Sequence, residues 1–229
     1  MRTIGLIGGM SWQASAEYYR LINEAAAARL GGQHNAKSVM VTVDFDEIVA
    51  FQQAGDWEGA AKTLAEAAAA LERAGAAMVA LCANTMHVVA EPVTAAISVP
   101  FVHLVDVTAD AVKAAGITRV GLLGTRYTME MDFYKDRMAE LGVEVLVPPA
   151  EERAAVHDII YGELTLGVLR EESREVYRRG MARLAERGAA GIIFGCTEIP
   201  LLVSAADSPV PVFDSTRIHA ERLVGLALD

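Results

Sequence analysis

Ile4-Gly5-Leu6-Ile7-Gly8 recurs 116 residues downstream as Val120-Gly121-Leu122-Leu123-Gly124. Two further stretches repeat in the same order. Leu81-Cys82-Ala83-Asn84-Thr85 matches Phe194-Gly195-Cys196-Thr197-Glu198, with Ala83 opposite Cys196 at an offset of 113, and Val99-Pro100-Phe101 matches Val210-Pro211-Val212 at 111. Apolar strands resemble one another by chance, so one match would mean little; three in order at nearly one offset point to an internal duplication.

The surrounding pattern says what was duplicated. Short β-branched runs over 3–7, 39–43 and 77–81 are each followed by alanine-rich stretches of helical period over 16–30, 57–74 and 86–96. Strand-like runs resume at 120–123, 143–147, 192–194 and 210–213. Strand followed by helix, repeated, implies parallel pairing, and strands that are apolar throughout rather than alternating imply sheets covered on both faces. The expected fold is α/β: two pseudo-symmetric, doubly wound, Rossmann-like parallel-sheet lobes with an active-site cleft between them. The first lobe is expected over 1–102 and 212–229, the second over 103–211. In such sheets ligands bind outside the carboxyl ends of the strands.

Composition narrows the function. The 229 residues are 53% hydrophobic and carry 20 Lys+Arg against 30 Asp+Glu, a net charge of −10 with only four lysines. Nucleic-acid binders concentrate cationic residues, so nucleic acid and anionic membrane are poor partners. The longest near-continuous apolar run, 74–83, is about half of the ~18 residues a membrane span needs. The N-terminus opens directly into a strand-like run without a signal-peptide pattern, so a cytoplasmic protein is expected. Two cysteines are too few for a disulfide scaffold, and neither sits in a metal-ligand spacing, so no metal is expected.

The strand-end segments hold the candidate chemistry. Gly8-Gly9-Met10-Ser11, Cys82-Ala83-Asn84-Thr85, Gly124-Thr125-Arg126 and Gly195-Cys196-Thr197-Glu198 combine small residues with hydroxyl and amide donors suited to a carboxylate. Cys196 follows a strand and precedes a helical segment, where a helix start would lower its pKa and favour the thiolate; the plainer reading is a small buried hydrophobe. Gly5, Gly8 and Gly9 lack the spacing of a dinucleotide fingerprint.

Gly8-Gly9-Met10-Ser11-Trp12, Cys82-Ala83-Asn84-Thr85-Met86-His87 and Gly195-Cys196-Thr197-Glu198-Ile199-Pro200 resemble the aspartate/glutamate racemase family, and within it the broad-specificity amino-acid racemase branch. The resemblance implies racemisation without pyridoxal phosphate or metal, by two acid/base groups on opposite faces of the substrate Cα, one from each lobe. It implies a homodimer and a small amino acid or dicarboxylate as the partner molecule. Lys37, Lys62, Lys113 and Lys135 fall in helical segments or ahead of a strand, not where a pyridoxal lysine would sit.

By the resemblance, Cys196 is the second-lobe acid/base, and Gly9, Met10, Asn84, Thr85, Thr125, Thr197 and Glu198 surround the substrate. The first-lobe catalytic position is Ala83, where relatives carry cysteine; Cys82 stands one residue early, and strand alternation would turn it into packing. Three routes stay open: protonation by water or the Thr85 hydroxyl, a re-aimed Cys82, or one-base chemistry. Acid-specific relatives place basic residues where this chain has 44–48 and 163–167, and neither segment supplies one. Gln52 is read either as a substrate contact or as an exposed loop residue, Arg126 as a cleft charge or a solvated side chain, His87 as a packed or capping histidine or a proton shuttle, and His103 as structural. The expected function is a cofactor-independent amino-acid racemase. A one-cysteine decarboxylase or isomerase of a small dicarboxylic acid, and an amino-acid-binding homologue without turnover, are the alternatives.

Overall fold

The computed structural model describes all 229 residues, Met1–Asp229. Seven strands form two parallel sheets: β1 (Ile4–Gly8), β2 (Ser38–Thr42), β3 (Met78–Leu81), β4 (Arg119–Gly124), β5 (Glu144–Leu146), β6 (Ile192–Gly195) and β7 (Val212–Asp214). Eleven α-helices run between and after them: α1 (Trp12–Leu30), α2 (Phe45–Ala54), α3 (Trp57–Arg73), α4 (Ala90–Ala95), α5 (Leu104–Ala114), α6 (Arg126–Glu130), α7 (Asp132–Glu140), α8 (Ala150–Gly162), α9 (Glu171–Glu186), α10 (Ile199–Leu202) and α11 (Ser215–Leu228). The chain divides into two compact units, Met1–Leu104 with His219–Asp229, and Val105–Ile218.

The first unit orders its strands β2-β1-β3, all parallel, and Phe101 extends the sheet by a parallel bridge to Val79. Its core gathers Ile7, Ile48, Leu64, Leu71, Val79, Leu81 and Val93. α3 delivers Ala60, Ala61, Leu64, Ala67, Ala68 and Leu71, a helical period that puts one face against the sheet. Buried on both sides, β1 and β3 can be apolar throughout.

The second unit orders its strands β5-β4-β6-β7, again all parallel. Val120, Leu122, Leu123, Ile192, Ile193 and Phe194 are buried, with Tyr177, Met181 and Leu184 of α9 and Val156 and Ile160 of α8 also inside. The three sequence matches return as equivalent pairings. Ile7 pairs with Leu81, and Leu123 with Phe194; the Val79–Phe101 bridge matches the Ile192–Val212 pair. Two residues beyond Leu81 and Phe194, the chain arrives at Ala83 and Cys196.

Three features depart from the sequence pattern. Val212–Asp214 pairs with β6, and the chain re-enters the first unit at His219 rather than at 212. A short apolar strand does not reveal which sheet it joins; its neighbour does. A helix forms over Phe45–Ala54, where Asp44 caps by accepting from the Asp46 N–H, Asp46 and Glu47 fill the first turn, and Gly55 closes the end in the left-handed region. The expected helix over 86–96 splits into a 3-10 turn, Thr85–Val89, and α4, because Pro92 fits only in the first turn of a new helix.

Candidate functional site

The β1–α1 turn is set by Gly9. Its φ of +90° is a conformation L side chains rarely adopt, and a Cβ there would stand 2.0 Å from the Val43 carbonyl oxygen. The Gly9 N–H donates to Ser15 Oγ at 2.8 Å, and Ser11 caps α1 by accepting from the Ala14 N–H at 3.2 Å. Met10 is buried in the unit's core. Gln52 is 6% exposed on α2, with its amide 3.2 Å from Met86 Sδ, so the exposed-loop reading of this residue does not hold.

Beyond β3 the two neighbouring positions differ sharply. Cys82 is fully buried and its amide donates to Ile7 O at 2.9 Å; burial alone pushes its thiol far up, so it stays protonated inside the sheet. Ala83 is half-buried. Asn84 and Thr85 are buried and open the 3-10 turn, where the Asn84 side chain does not cap. Gly9-Met10, Gln52 and Ala83–Thr85 thus belong to the carboxyl-end turns of β1 and β3 and to the elements packed on them.

The second unit repeats this arrangement around sulfur. β4 and β6 end side by side at the Gly124–Gly195 pair, and a Cβ on Gly124 would stand 2.9 Å from Gly195 O. Thr125 caps α6, accepting from the Thr128 N–H at 3.3 Å. Ser215 donates to Phe194 O at 2.7 Å and fixes the end of β6. Cys196, 8% exposed, donates through Sγ to Glu198 Oε2 at 2.9 Å, and the half-buried Thr197 hydroxyl donates to the same oxygen at 2.6 Å. Glu198 itself is 4% exposed.

The electrostatics reverse one expectation. The Cys196 thiol is held well above its ordinary pKa, first by burial and then by the charge and hydrogen bond of Glu198. Backbone N–H groups of Glu198 and Ile199 oppose this and lose. The following helix, Ile199–Leu202, is only four residues long, so little macrodipole is available to favour the thiolate. The resting group is a neutral thiol beside a carboxylate.

Sequence reasoning missed the side chains on α8 and α9. Tyr161 is pushed up by burial and then by Cys196, Tyr127 and Glu198, with Arg126 acting the other way. Tyr177 is pushed up by burial, Cys196, Glu198 and Glu163, and its buried hydroxyl has no hydrogen-bond partner. His157 accepts from the Arg126 N–H at 3.3 Å and lies 4.7 Å, ring to ring, from Tyr161. Burial holds its pKa below the ordinary value, with Arg126 adding to the effect. Their one sequence signal is the spacing of His157 and Tyr161, one helical turn apart. Arg126 is exposed and lies over the Tyr127 ring at 5.1 Å. No group of three or more His, Cys, Asp or Glu side chains converges as a metal-binding set, and no helix is long and apolar enough to cross a membrane.

Comparison with known proteins matches the chain to one family. Residues 7–223 match the family model described as Asp/Glu/Hydantoin racemase. A crystal structure of a candidate Asp/Glu racemase from Yersinia pestis is 50% identical, with a TM-score of 0.94 and full coverage of both chains. An aspartate racemase homologue from Pyrococcus horikoshii is 37% identical with a TM-score of 0.88, again over both whole chains. The broad specificity amino-acid racemase RacX of Bacillus subtilis is 26% identical over 73% of this chain and 72% of its own. The chain belongs to the Asp/Glu/Hydantoin racemase family.

Proposed function

We propose that the chain is a cofactor-independent amino-acid racemase in which Cys196 exchanges a proton with the substrate Cα. The observation that carries the reading is the buried Cys196–Glu198 pair at the end of β6, in a member of a racemase family. In one direction the thiol gives its proton to the planar carbanion. In the other, Glu198 Oε2 takes the Sγ proton, and the thiolate so formed removes the Cα proton. Asn84, Thr85, Thr125 and Thr197, with the Gly9-Met10 turn, hold the α-carboxylate and α-amino group at the carboxyl ends of the strands. The names of the Yersinia, Pyrococcus and Bacillus relatives support amino-acid substrates. The lysines on α3, α5 and α7, and Lys37 ahead of β2, leave no candidate for a pyridoxal Schiff base at the strand ends. A homodimer in the cytoplasm completes the proposal.

Ala83 favours a second reading. Its methyl group has no proton to exchange, so solvent must serve that face, or the enzyme works from one side only, as a decarboxylase or isomerase of a small dicarboxylic acid. Incubation with L- and D-amino acids in deuterated water, following Cα deuterium and chirality together, separates the two. Inversion with deuterium uptake is the expected result. Uptake with retention would replace racemisation by one-sided chemistry, and silence across the panel would leave a binding protein. Cys196→Ala should abolish exchange, and persistence of exchange in that variant would overturn the assignment.

A further inference from the structure

His87 is buried in the first unit, and both of its ring nitrogens are engaged. Nδ1 lies 2.7 Å from the Ala83 carbonyl oxygen, and Nε2 lies 3.2 Å from the Leu104 backbone nitrogen. A carbonyl only accepts and a backbone amide only donates, so the ring is the neutral tautomer with its proton on Nδ1. Its neighbours keep it neutral. The His103 ring is 4.7 Å away edge-on and the His219 ring 6.3 Å away. Burial first, then the charge these two would carry, hold His87 well below the ordinary histidine pKa.

The two bonds link places that matter separately. Ala83 is the first-unit counterpart of Cys196, and Leu104 is the last residue before the chain leaves this unit. The turn between Ala83 and His87 is closed twice, by the ring bond to Ala83 O and by the His87 N–H donating to Asn84 O at 3.1 Å. A peptide group is planar, so fixing the Ala83 carbonyl also fixes the direction of the Asn84 N–H on the same plane.

We propose that His87 is a positioning residue for substrate binding: its Nδ1–H sets the Ala83–Asn84 peptide, and its Nε2 ties that turn to the segment by which the chain leaves the unit. The proposal rests on the reading that Asn84 and Thr85 hold the substrate, and its test is built to fail separately from that reading.

Two substitutions split the two bonds. His87→Asn keeps a donor at the place of Nδ1 and loses the acceptor for Leu104; His87→Gln reaches the Leu104 N–H and loses the donor to Ala83. His87→Gln should raise KM about tenfold with a smaller change in kcat, and His87→Asn should recover most of that loss. His219→Gln, a buried histidine that does not touch Ala83, serves as the control for lost stability and should lower Tm with KM unchanged. Equal KM values in His87→Asn and His87→Gln, or a Tm loss in both without a KM change, would overturn the proposal. Amide hydrogen exchange of Asn84, Thr85 and Met86 supplies a readout that needs no turnover. These amides should open faster in His87→Gln than in His87→Asn, and equal rates would overturn the proposal even if the wild-type chain turned over no amino acid.

Discussion

At the scale of single residues the proposed chemistry turns on Cys196, Glu198 and Ala83. Glu198 raises the pKa of the neighbouring thiol through its charge and hydrogen bond, and in the proposed reaction its Oε2 is also the acceptor through which that proton leaves. Glu198→Gln removes the charge and keeps the shape. The thiol of that variant should ionise at lower pH, seen as a downward shift in the pH profile of alkylation by iodoacetamide. Its Cα exchange should nevertheless fall by about a hundredfold, the usual scale for losing a proton acceptor. A variant whose exchange rises with its thiolate fraction would show that Glu198 only restrains the sulfur. Ala83→Cys tests the equivalence of the two strand ends. If position 83 faces the substrate, a thiol there should speed interconversion in both directions by tenfold or more, roughly the contribution of one acid/base group; no gain counts against that equivalence. The equivalent positions of Ala83 and Cys196 beyond β3 and β6 were legible because short strands and repeated segments can be read from the sequence alone. The direction of the Cys196 pKa was not, since burial and the orientation of Glu198 are properties of the packed state. Tyr161 and Tyr177 sit on helices whose approach to β6 no short motif encodes.

At the scale of elements the chain depends on turns that hold the strand ends in place. Gly9 is the least replaceable, since its φ of +90° and the 2.0 Å approach of Val43 O leave no room for a methyl group. Gly9→Ala should cost about 3 kcal/mol or more, combining backbone strain with a backbone clash, and should show as a clear drop in Tm. Ser11→Ala, which removes the side-chain cap of α1, should cost about 1 kcal/mol. Comparable losses in the two variants would mean that the β1–α1 turn relaxes around the added carbon. The strands were visible because each carries a short apolar run, unbroken in β1, β3 and β6, and the long helix α3 because its apolar residues repeat at helical spacing. The helix Phe45–Ala54 escaped because only Ile48 and Gln52 on it are buried, too few to write a periodic stripe. Val212–Asp214 was seen as a strand and placed in the wrong unit, because pairing with β6 depends on a neighbour distant in sequence.

At the scale of the whole molecule the two units repeat one topology but differ in their buried titratable groups. Of the histidines, the first unit holds His87 and His219, both buried, with His103 half-buried beside them; the second holds His157, which is half-buried, and its buried ionisable groups are Cys196, Glu198, Tyr134 and Tyr177. His219 is tied to the Tyr18 hydroxyl at 2.8 Å and to Val102 O at 2.9 Å, and burial holds its pKa down to about 4. In the unfolded chain the same group titrates near 6.5. Between pH 6.5 and 4 the unfolded state therefore binds a proton that the folded unit refuses, and stability falls as the pH drops through that window. For His219 alone the loss amounts to roughly 3 kcal/mol, and His87, shifted in the same direction, adds to it. Both tryptophans, Trp12 and Trp57, lie in the first unit, and Trp57 packs against its core, so tryptophan fluorescence reports that unit selectively. The guanidinium midpoint read by fluorescence should fall between pH 7.5 and pH 5 by more than the loss of protection at the β4 and β6 amides over the same range. Replacing His219 by Gln should flatten the dependence while lowering stability at pH 7.5, since the buried bonds go but the protonation penalty goes with them. If the amides of the second unit lose protection first, the acid sensitivity lies with carboxylates shared along the chain rather than with the histidines of the first unit.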